Sequence, residues 1–443
     1  MSCVDCGCLQ SAIRALVPLT KLPGMISLGG GNPNSALFPF SGKVTCISSL
    51  LPKILTSLSL THTHTLSLLS IDLKIGLKSG VQLDVSGDQI EECLQYSPTR
   101  GLPGLVKHLN SFQVAEHGPK QPFELMVTAG SQEGLTRAFE MLLSPGDTLL
   151  VEEPTYSGAL AFLQPFGVNL VGVATDGQGL RPDALASTLA ELKAKGVTPK
   201  ALYVIPTGQN PSGATLSLER RKQIISLANQ YDFVVLEDDP YYYLYYGTEA
   251  YDPTRVNFTR PRVKSLLSLD TEGRVLRFDS LSKVLSSGIR IGFVTGPPEL
   301  IERLELHAQA TTLHTSGLSQ VATQALLDHW GPEGWNTHVD SVVRFYHGRR
   351  DVMLRALDNH LDGMADWSSP SAGMFVWLQL RGIKDTKNFI DQKARDAKVI
   401  LVPGQVFDPL NKPSTYVRAA FSIASDEQID QGIARLANLL KQQ

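Results

Sequence analysis

The sequence predicts an α/β protein: a mainly parallel sheet of seven strands with helices on both faces, followed by a smaller α+β domain. Two patterns carry this expectation. From about residue 95 to 325, short runs that are apolar throughout alternate with longer stretches of helical period, and strands without a polar face are buried on both sides. From about residue 326 the pattern changes to long helical stretches around one apolar strand, the signature of a segregated α+β layer.

In order, the expected strands of the sheet cover residues 125–129, 148–152, 168–174, 201–206, 233–237, 275–279 and 291–295. After the first, Gly130 turns the chain into a helix over 131–143, stopped by Pro145-Gly146. A second helix is expected over 218–231. In the C-terminal part, helices over 339–361 and 385–397 flank Gly373-Met374-Phe375-Val376-Trp377-Leu378, and 416–422 reads as a further strand.

Residues 44–79 break the pattern. They are rich in Ser, Thr and Leu and contain Thr61-His62-Thr63-His64-Thr65, a two-residue repeat of the kind an alternating A-C nucleotide tract encodes. The stretch is expected to be a disordered insertion, or untranslated sequence retained in the chain. His62 and His64 have no Cys, Asp or Glu at ligand spacing, so no metal is expected there. Hydroxyls and both histidines interrupt any apolar run long enough to span a membrane.

Composition narrows the function. The 443 residues are 42% apolar and 19% charged, with a formal net charge of -3. There is no basic excess for nucleic acid or an anionic membrane, which leaves small molecules as the expected partners. The five cysteines (Cys3, Cys6, Cys8, Cys46 and Cys93) all lie early and are odd in number, so they form no disulfide framework and imply a reducing, intracellular compartment. The N-terminus lacks a secretory apolar core but carries Arg14 and Lys21 against one acid, Asp5, which leaves a mitochondrial address open.

The chemistry concentrates at predicted strand ends, where ligands bind in such sheets. Lys283 lies between Ser280, Ser282, Ser286 and Ser287, with Arg290 seven positions on. An amine that forms a Schiff base needs a lowered pKa, which a nearby cation provides. Serines and an arginine suit a phosphate monoester. Together they suggest pyridoxal phosphate; taken alone, S-x-K also describes a solvated serine-rich loop.

Asp238 and Tyr241, in Glu237-Asp238-Asp239-Pro240-Tyr241, offer a carboxylate for a pyridine nitrogen and a phenol for a ring hydroxyl; equally they form an acidic turn. Asn210, in Gln209-Asn210-Pro211-Ser212-Gly213, offers an amide to the same hydroxyl or sits in an ordinary Pro/Gly turn. Ser131 and Gln132 open a helix whose N–H groups suit phosphate, or Ser131 is a plain cap. Tyr156 stacks on a ring or is a turn aromatic. Arg418, inside an apolar strand, needs an anion: an internal acid or a substrate carboxylate.

Taken in order, Gly-Ser-Gln, Pro-x-Tyr, Asn-Pro-x-Gly, Asp-Asp-Pro-Tyr, Ser-x-Ser-Lys and the late arginine resemble the fold-type I pyridoxal-phosphate aminotransferases. The resemblance is nearest to the kynurenine/2-aminoadipate branch, through Ile26-Ser27-Leu28-Gly29-Gly30-Gly31, Leu37-Phe38-Pro39-Phe40, Leu94-Gln95-Tyr96-Ser97-Pro98 and Asp279-Ser280-Leu281-Ser282-Lys283. It covers residues 11–43 and 80–443.

That resemblance implies transfer of an amino group from 2-aminoadipate, kynurenine or a similar amino acid to 2-oxoglutarate in two half-reactions. Lys283 is then the Schiff-base lysine and proton carrier. Asp238 pairs with the ring nitrogen, Asn210 and Tyr241 with the ring oxygen, and Tyr156 stacks. Ser131, Gln132, Ser280, Ser282 and Arg290 hold the phosphate with Tyr96 of a partner subunit. Arg418 holds the substrate α-carboxylate, while Arg14 and Gly31 close over its side chain.

The same resemblance implies a homodimer and a mitochondrial matrix location, the cytosol being the alternative. It divides the chain into an N-terminal segment over 1–43 that joins the small domain, the insertion over 44–79, a cofactor-binding domain over 80–325 and a small domain over 326–443. Two features depart from the family pattern: the polar Asn32, where relatives carry an apolar gate residue, and the insertion itself, which precedes Tyr96. Other readings are a different fold-type I reaction, a decarboxylase or lyase, and a non-catalytic variant disabled by the insertion.

Overall fold

The structure, a computed structural model, describes residues 16–48, 71–85, 87–252 and 262–442. Its centre is a mixed sheet whose strands run in the order Glu124–Thr128, Gly292–Gly296, Val275–Ser280, Val234–Asp238, Ala201–Val204, Thr148–Glu153, Asn169–Asp176 and Gly179–Leu180. Seven of these are the strands expected from the sequence; the eighth, Gly179–Leu180, is a two-residue antiparallel return. Gly292–Gly296 runs antiparallel to both neighbours, and the five strands on its far side, up to Asn169–Asp176, are mutually parallel.

The apolar runs have the cause inferred for them. Successive side chains on a strand point to opposite faces, and both faces are covered here. Leu149, Val151, Ala201, Tyr203 and Leu236 belong to one buried cluster, with Phe139 of helix Ser131–Leu142. Leu150, Leu202, Val204 and Val235 belong to another, with Ile224 and Ala228 of helix Leu218–Tyr231. Each fully buried aliphatic side chain contributes roughly 1.5–3 kcal/mol, so a charge on either face would be costly. All parallel strands therefore deliver their carboxyl ends, and the loops that follow, to one edge of the sheet.

A second sheet has the order Ala365–Trp367, Phe375–Leu380, Tyr416–Ala420 and Val402–Pro403. Ile26–Ser27 pairs in parallel with Val399–Ile400, tying the early chain to this region. The helical stretch Gly317–Leu361 is broken at Gly331, whose φ of 58° and ψ of -172° lie outside the helix, just before Pro332. The helix expected over 385–397 is a short turn, Thr386–Phe389, continued by a wider, π-type turn over Ile390–Ala394.

The disorder expected of 44–79 is corrected at both ends of that stretch. Phe40–Ser48 and Ile71–Leu77 form an antiparallel pair, and Gln82–Val85 adds a third strand. In Ile71-Asp72-Leu73-Lys74-Ile75-Gly76-Leu77 the alternation puts Leu73, Ile75 and Leu77 on one face, all buried, with Leu83 and Val85. The face packs towards helices Asp88–Leu94 and Gly317–Leu361. Residues 49–70, with the Thr-His repeat, lie outside the described residues, as does Arg14.

Candidate active site

A cavity of about 830 Å³ opens at the carboxyl edge of the large sheet and reaches to the second sheet. Five loops bring the sequence-identified groups to it. Ser131 and Gln132 follow Glu124–Thr128; Tyr156 follows Thr148–Glu153; Asn210 follows Ala201–Val204; Asp238 ends its strand, with Tyr241 after it. Ser280, Ser282, Lys283 and Arg290 follow Val275–Ser280, and Gly31 and Arg418 close the far wall. Arg14 falls outside the described residues. Tyr96 does not line the cavity: it is 78% exposed, edge-on to His314.

Lys283 Nζ donates to the Gly31 carbonyl oxygen at 2.9 Å. Burial, and then the guanidiniums of Arg418 and Arg290, bring its amine down to about 8. A substantial fraction is thus a free base near neutrality, as nucleophilic and proton-transfer roles require.

Asp238 is buried on the floor. Its Oδ2 accepts from the Tyr203 hydroxyl at 2.8 Å, while Oδ1, also buried, has no hydrogen-bond partner among the described residues. Burial pushes this carboxyl up to about 7; the Tyr203 hydrogen bond opposes the rise, and Asp239 and Asp279 add to it. An orphaned buried carboxylate oxygen beside a cavity calls for a donor from outside the protein. Behind it, Arg277 is buried among Glu237 at 3.1 Å, Asp239 at 3.0 Å and Asp279 at 2.8 Å, which clamps the two strands that carry Asp238 and Ser280.

The end of the cavity beside helix Ser131–Leu142 gathers groups suited to an anion. Arg290, in a left-handed conformation at φ 52°, donates to Ser282 Oγ at 3.2 Å and to the Ala129 carbonyl at 2.9 Å. Gly130, at φ 85°, precedes the helix; a Cβ there would sit 2.2 Å from Arg290 Nη2. Only glycine lets the guanidinium lie against the start of helix Ser131–Leu142, so cation, serine hydroxyls and helix N–H groups converge.

Arg418 stands on the far wall. It is fully buried, with Nη1 donating to Asn210 Oδ1 at 2.8 Å and Nη2 to the Gly29 carbonyl at 2.7 Å, while Nε has no partner. Its guanidinium carbon lies 4.2 Å from the Phe375 ring centroid. Among the described residues no carboxylate pairs with it, and burial lowers its pKa to about 10. Of the two anions that the sequence left open, an internal acid is absent. Because Asn210 gives its carbonyl oxygen to Arg418, its amide nitrogen is left to donate elsewhere. Tyr241 stands edge-on to Phe375, and burial raises its phenol above the ordinary range, so the hydroxyl remains a donor.

Sequence reasoning missed Tyr203 and Phe375, and also the outer wall of Leu16, Thr20, Met25, Ile400, Ile423 and Gln428. Tyr203 was legible in principle: it pairs with Leu236, and Asp238, two residues on, shares its face. Asn32 does line the cavity, as its place in the N-terminal run implied.

The pattern of the class I and II aminotransferases matches residues 82–436. The mitochondrial kynurenine/alpha-aminoadipate aminotransferase of Bos taurus is 40% identical, over 98% of this chain and 96% of its own. A kynurenine aminotransferase of Pyrococcus horikoshii, solved with PMP and with kynurenine as substrate, superposes with a TM-score of 0.81 at 31% identity, over 100% of this chain and 97% of that one. An alpha-aminoadipate aminotransferase of Thermus thermophilus, solved with N-(5'-phosphopyridoxyl)-L-leucine, superposes with a TM-score of 0.74 at 27% identity, covering 98% and 95%.

Proposed function

Since the chain belongs to the class I and II aminotransferases, we propose that it moves the amino group of 2-aminoadipate, kynurenine or a similar amino acid to 2-oxoglutarate, with pyridoxal phosphate as cofactor. The observation that carries this reading is Arg418: a buried guanidinium with no acid partner among the described residues, in one cavity with Lys283 and Asp238. When bound, pyridoxal phosphate supplies the electron sink that makes the substrate α-carbon acidic.

The residues present fit that group. Asp238 Oδ1 would accept from the ring N–H and keep that nitrogen protonated, which would offset the burial that pushes Asp238 up. Asn210 Nδ2 and the Tyr241 hydroxyl would donate to the ring oxygen, and Tyr156 would cover the ring. Ser131, Gln132, Ser280, Ser282 and Arg290 bind the phosphate. With the cofactor bound, Lys283 Nζ would carry the proton between the substrate α-carbon and the cofactor C4′, general acid–base work worth about 10²–10⁴-fold. Arg418 fixes the α-carboxylate and, through it, the Cα–H bond that Lys283 addresses.

Supporting a homodimer is Tyr96, which is largely exposed in the single chain and available to a partner's phosphate cradle. A mitochondrial matrix location is supported by the names of the mammalian relatives. Among the described residues no helix is long and apolar enough to cross a membrane.

The test is a panel of amino donors assayed with 2-oxoglutarate at fixed cofactor. The expected result is one 2-oxoglutarate consumed per donor, with 2-aminoadipate and kynurenine among the best. Release of carbon dioxide or ammonia without consumption of 2-oxoglutarate would instead identify a decarboxylase or lyase.

A further inference from the structure

The group behind Asp238 has no role in the mechanism above, yet its geometry is specific. Tyr203 and Asp238 lie on adjacent parallel strands, Ala201–Val204 and Val234–Asp238, and both are buried, at 0% and 3% exposure. The hydroxyl donates to Oδ2 at 2.8 Å and leaves Oδ1 buried without a partner among the described residues, on a residue that lines the cavity. Burial and the neighbouring acid Asp238 hold the Tyr203 phenol well above its ordinary pKa, so it keeps the proton that it donates to Oδ2.

We propose that Tyr203 is a positioning residue: its hydroxyl occupies Asp238 Oδ2, fixing the carboxylate so that Oδ1 meets the cofactor's ring nitrogen as a charged acceptor. This rests on pyridoxal phosphate being the occupant of the cavity.

The physical argument compares two states of one buried carboxyl. Glu237, Asp239 and Asp279 lie close by, their charge answered mainly by Arg277. Among the described residues Asp238 itself has no cation in contact, and the Tyr203 hydroxyl is the one hydrogen-bond donor to its side chain. Without that donor, two desolvated carboxylate oxygens compete for protonation, and a neutral acid cannot keep a pyridine nitrogen charged. The tyrosine ring has a separate packing task, edge-on to Phe139 at 5.8 Å, which phenylalanine would retain. Tyr203→Phe therefore removes the hydrogen bond and little else.

The experiment measures cofactor affinity rather than turnover. Wild type and Tyr203→Phe are titrated with pyridoxal phosphate and with its 1-deaza analogue, in which carbon replaces the ring nitrogen. A bond to a charged group is at stake, so the variant is expected to bind pyridoxal phosphate roughly 10-fold or more weakly. It should bind the deaza analogue as wild type does, because that ring offers Asp238 nothing. Equal losses for both ligands would make Tyr203 a packing residue and overturn the proposal, as would no loss for either.

A second pair, Asp238→Asn with and without Tyr203→Phe, keeps the test independent of folding. The tyrosine change should matter less in the Asn background, and an equal effect in both backgrounds is a contradicting result. Failure of wild type to bind pyridoxal phosphate at all would bring down the cofactor assignment first, an outcome distinct from the others.

Discussion

Lys283 is asked to be a base inside a protein, and the cost of that request is measurable without cofactor. Its amine falls from 10.5 to about 8 on folding, equivalent to at most on the order of 3 kcal/mol. The sign follows from proton counting. Between pH 8 and 10.5 the unfolded chain binds the proton that the folded chain has lost, so stability rises with pH across that window. Below pH 8 both states are protonated and the full penalty remains. Lys283→Met, which keeps the volume and removes the charge, should raise the melting temperature of the apoprotein at pH 7, and the gain should shrink towards pH 10. Calorimetry at the two pH values checks it; a gain that grows with pH contradicts the assignment.

Arg418 makes a different demand. Lysine in its place keeps a charge but loses the planar fork. Losing one charge-assisted hydrogen bond, about 1.5–3 kcal/mol, should lower kcat/KM roughly 10- to 100-fold. The loss should be similar for every donor, since all share the α-carboxylate. A loss confined to one donor would place Arg418 at the side chain instead.

At the scale of elements, the large sheet was legible because burial on both faces leaves a strand no polar positions, and seven such runs stand clear between helical stretches. The residues at its ends were legible as types, such as Asp238 and Lys283, because their neighbours in sequence are also their neighbours in space. Tyr203 was not, since its partner is reached across a strand pair and its chemistry is hidden inside an apolar run. The stretch 44–79 misled for the opposite reason. A composition rich in Ser, Thr and Leu obscured the strict alternation over Ile71–Leu77, whose buried face is as clear as that of any strand in the fold.

Because Ser48 and Ile71 are paired across the hairpin, their separation suits a tight turn. Replacing residues 49–70 by Asn-Gly should preserve folding, cofactor binding and turnover, as that dipeptide closes two-residue hairpins. The check is a side-by-side comparison of melting temperature and activity. A shortened chain that fails to fold would show that the replaced residues are structurally required.

In the whole molecule two sheets meet around one cavity, and Tyr96, expected from the sequence to meet the cofactor, stays on the outside. If a second copy supplies it, light scattering should give twice the chain mass, and Tyr96→Phe should weaken cofactor binding while that mass is retained. A monomer that binds the cofactor and turns over at full rate would count against the shared site.

Every step above depends on one amine meeting one aldehyde in this cavity. The most direct measurement is the visible absorption spectrum of the purified holoprotein beside that of Lys283→Ala, both dialysed free of excess pyridoxal phosphate. The wild type should keep a visible band of covalently held cofactor, which Lys283→Ala should lack. An undiminished band in the variant would mean that a different lysine holds the cofactor, and the site described here would not be the catalytic one.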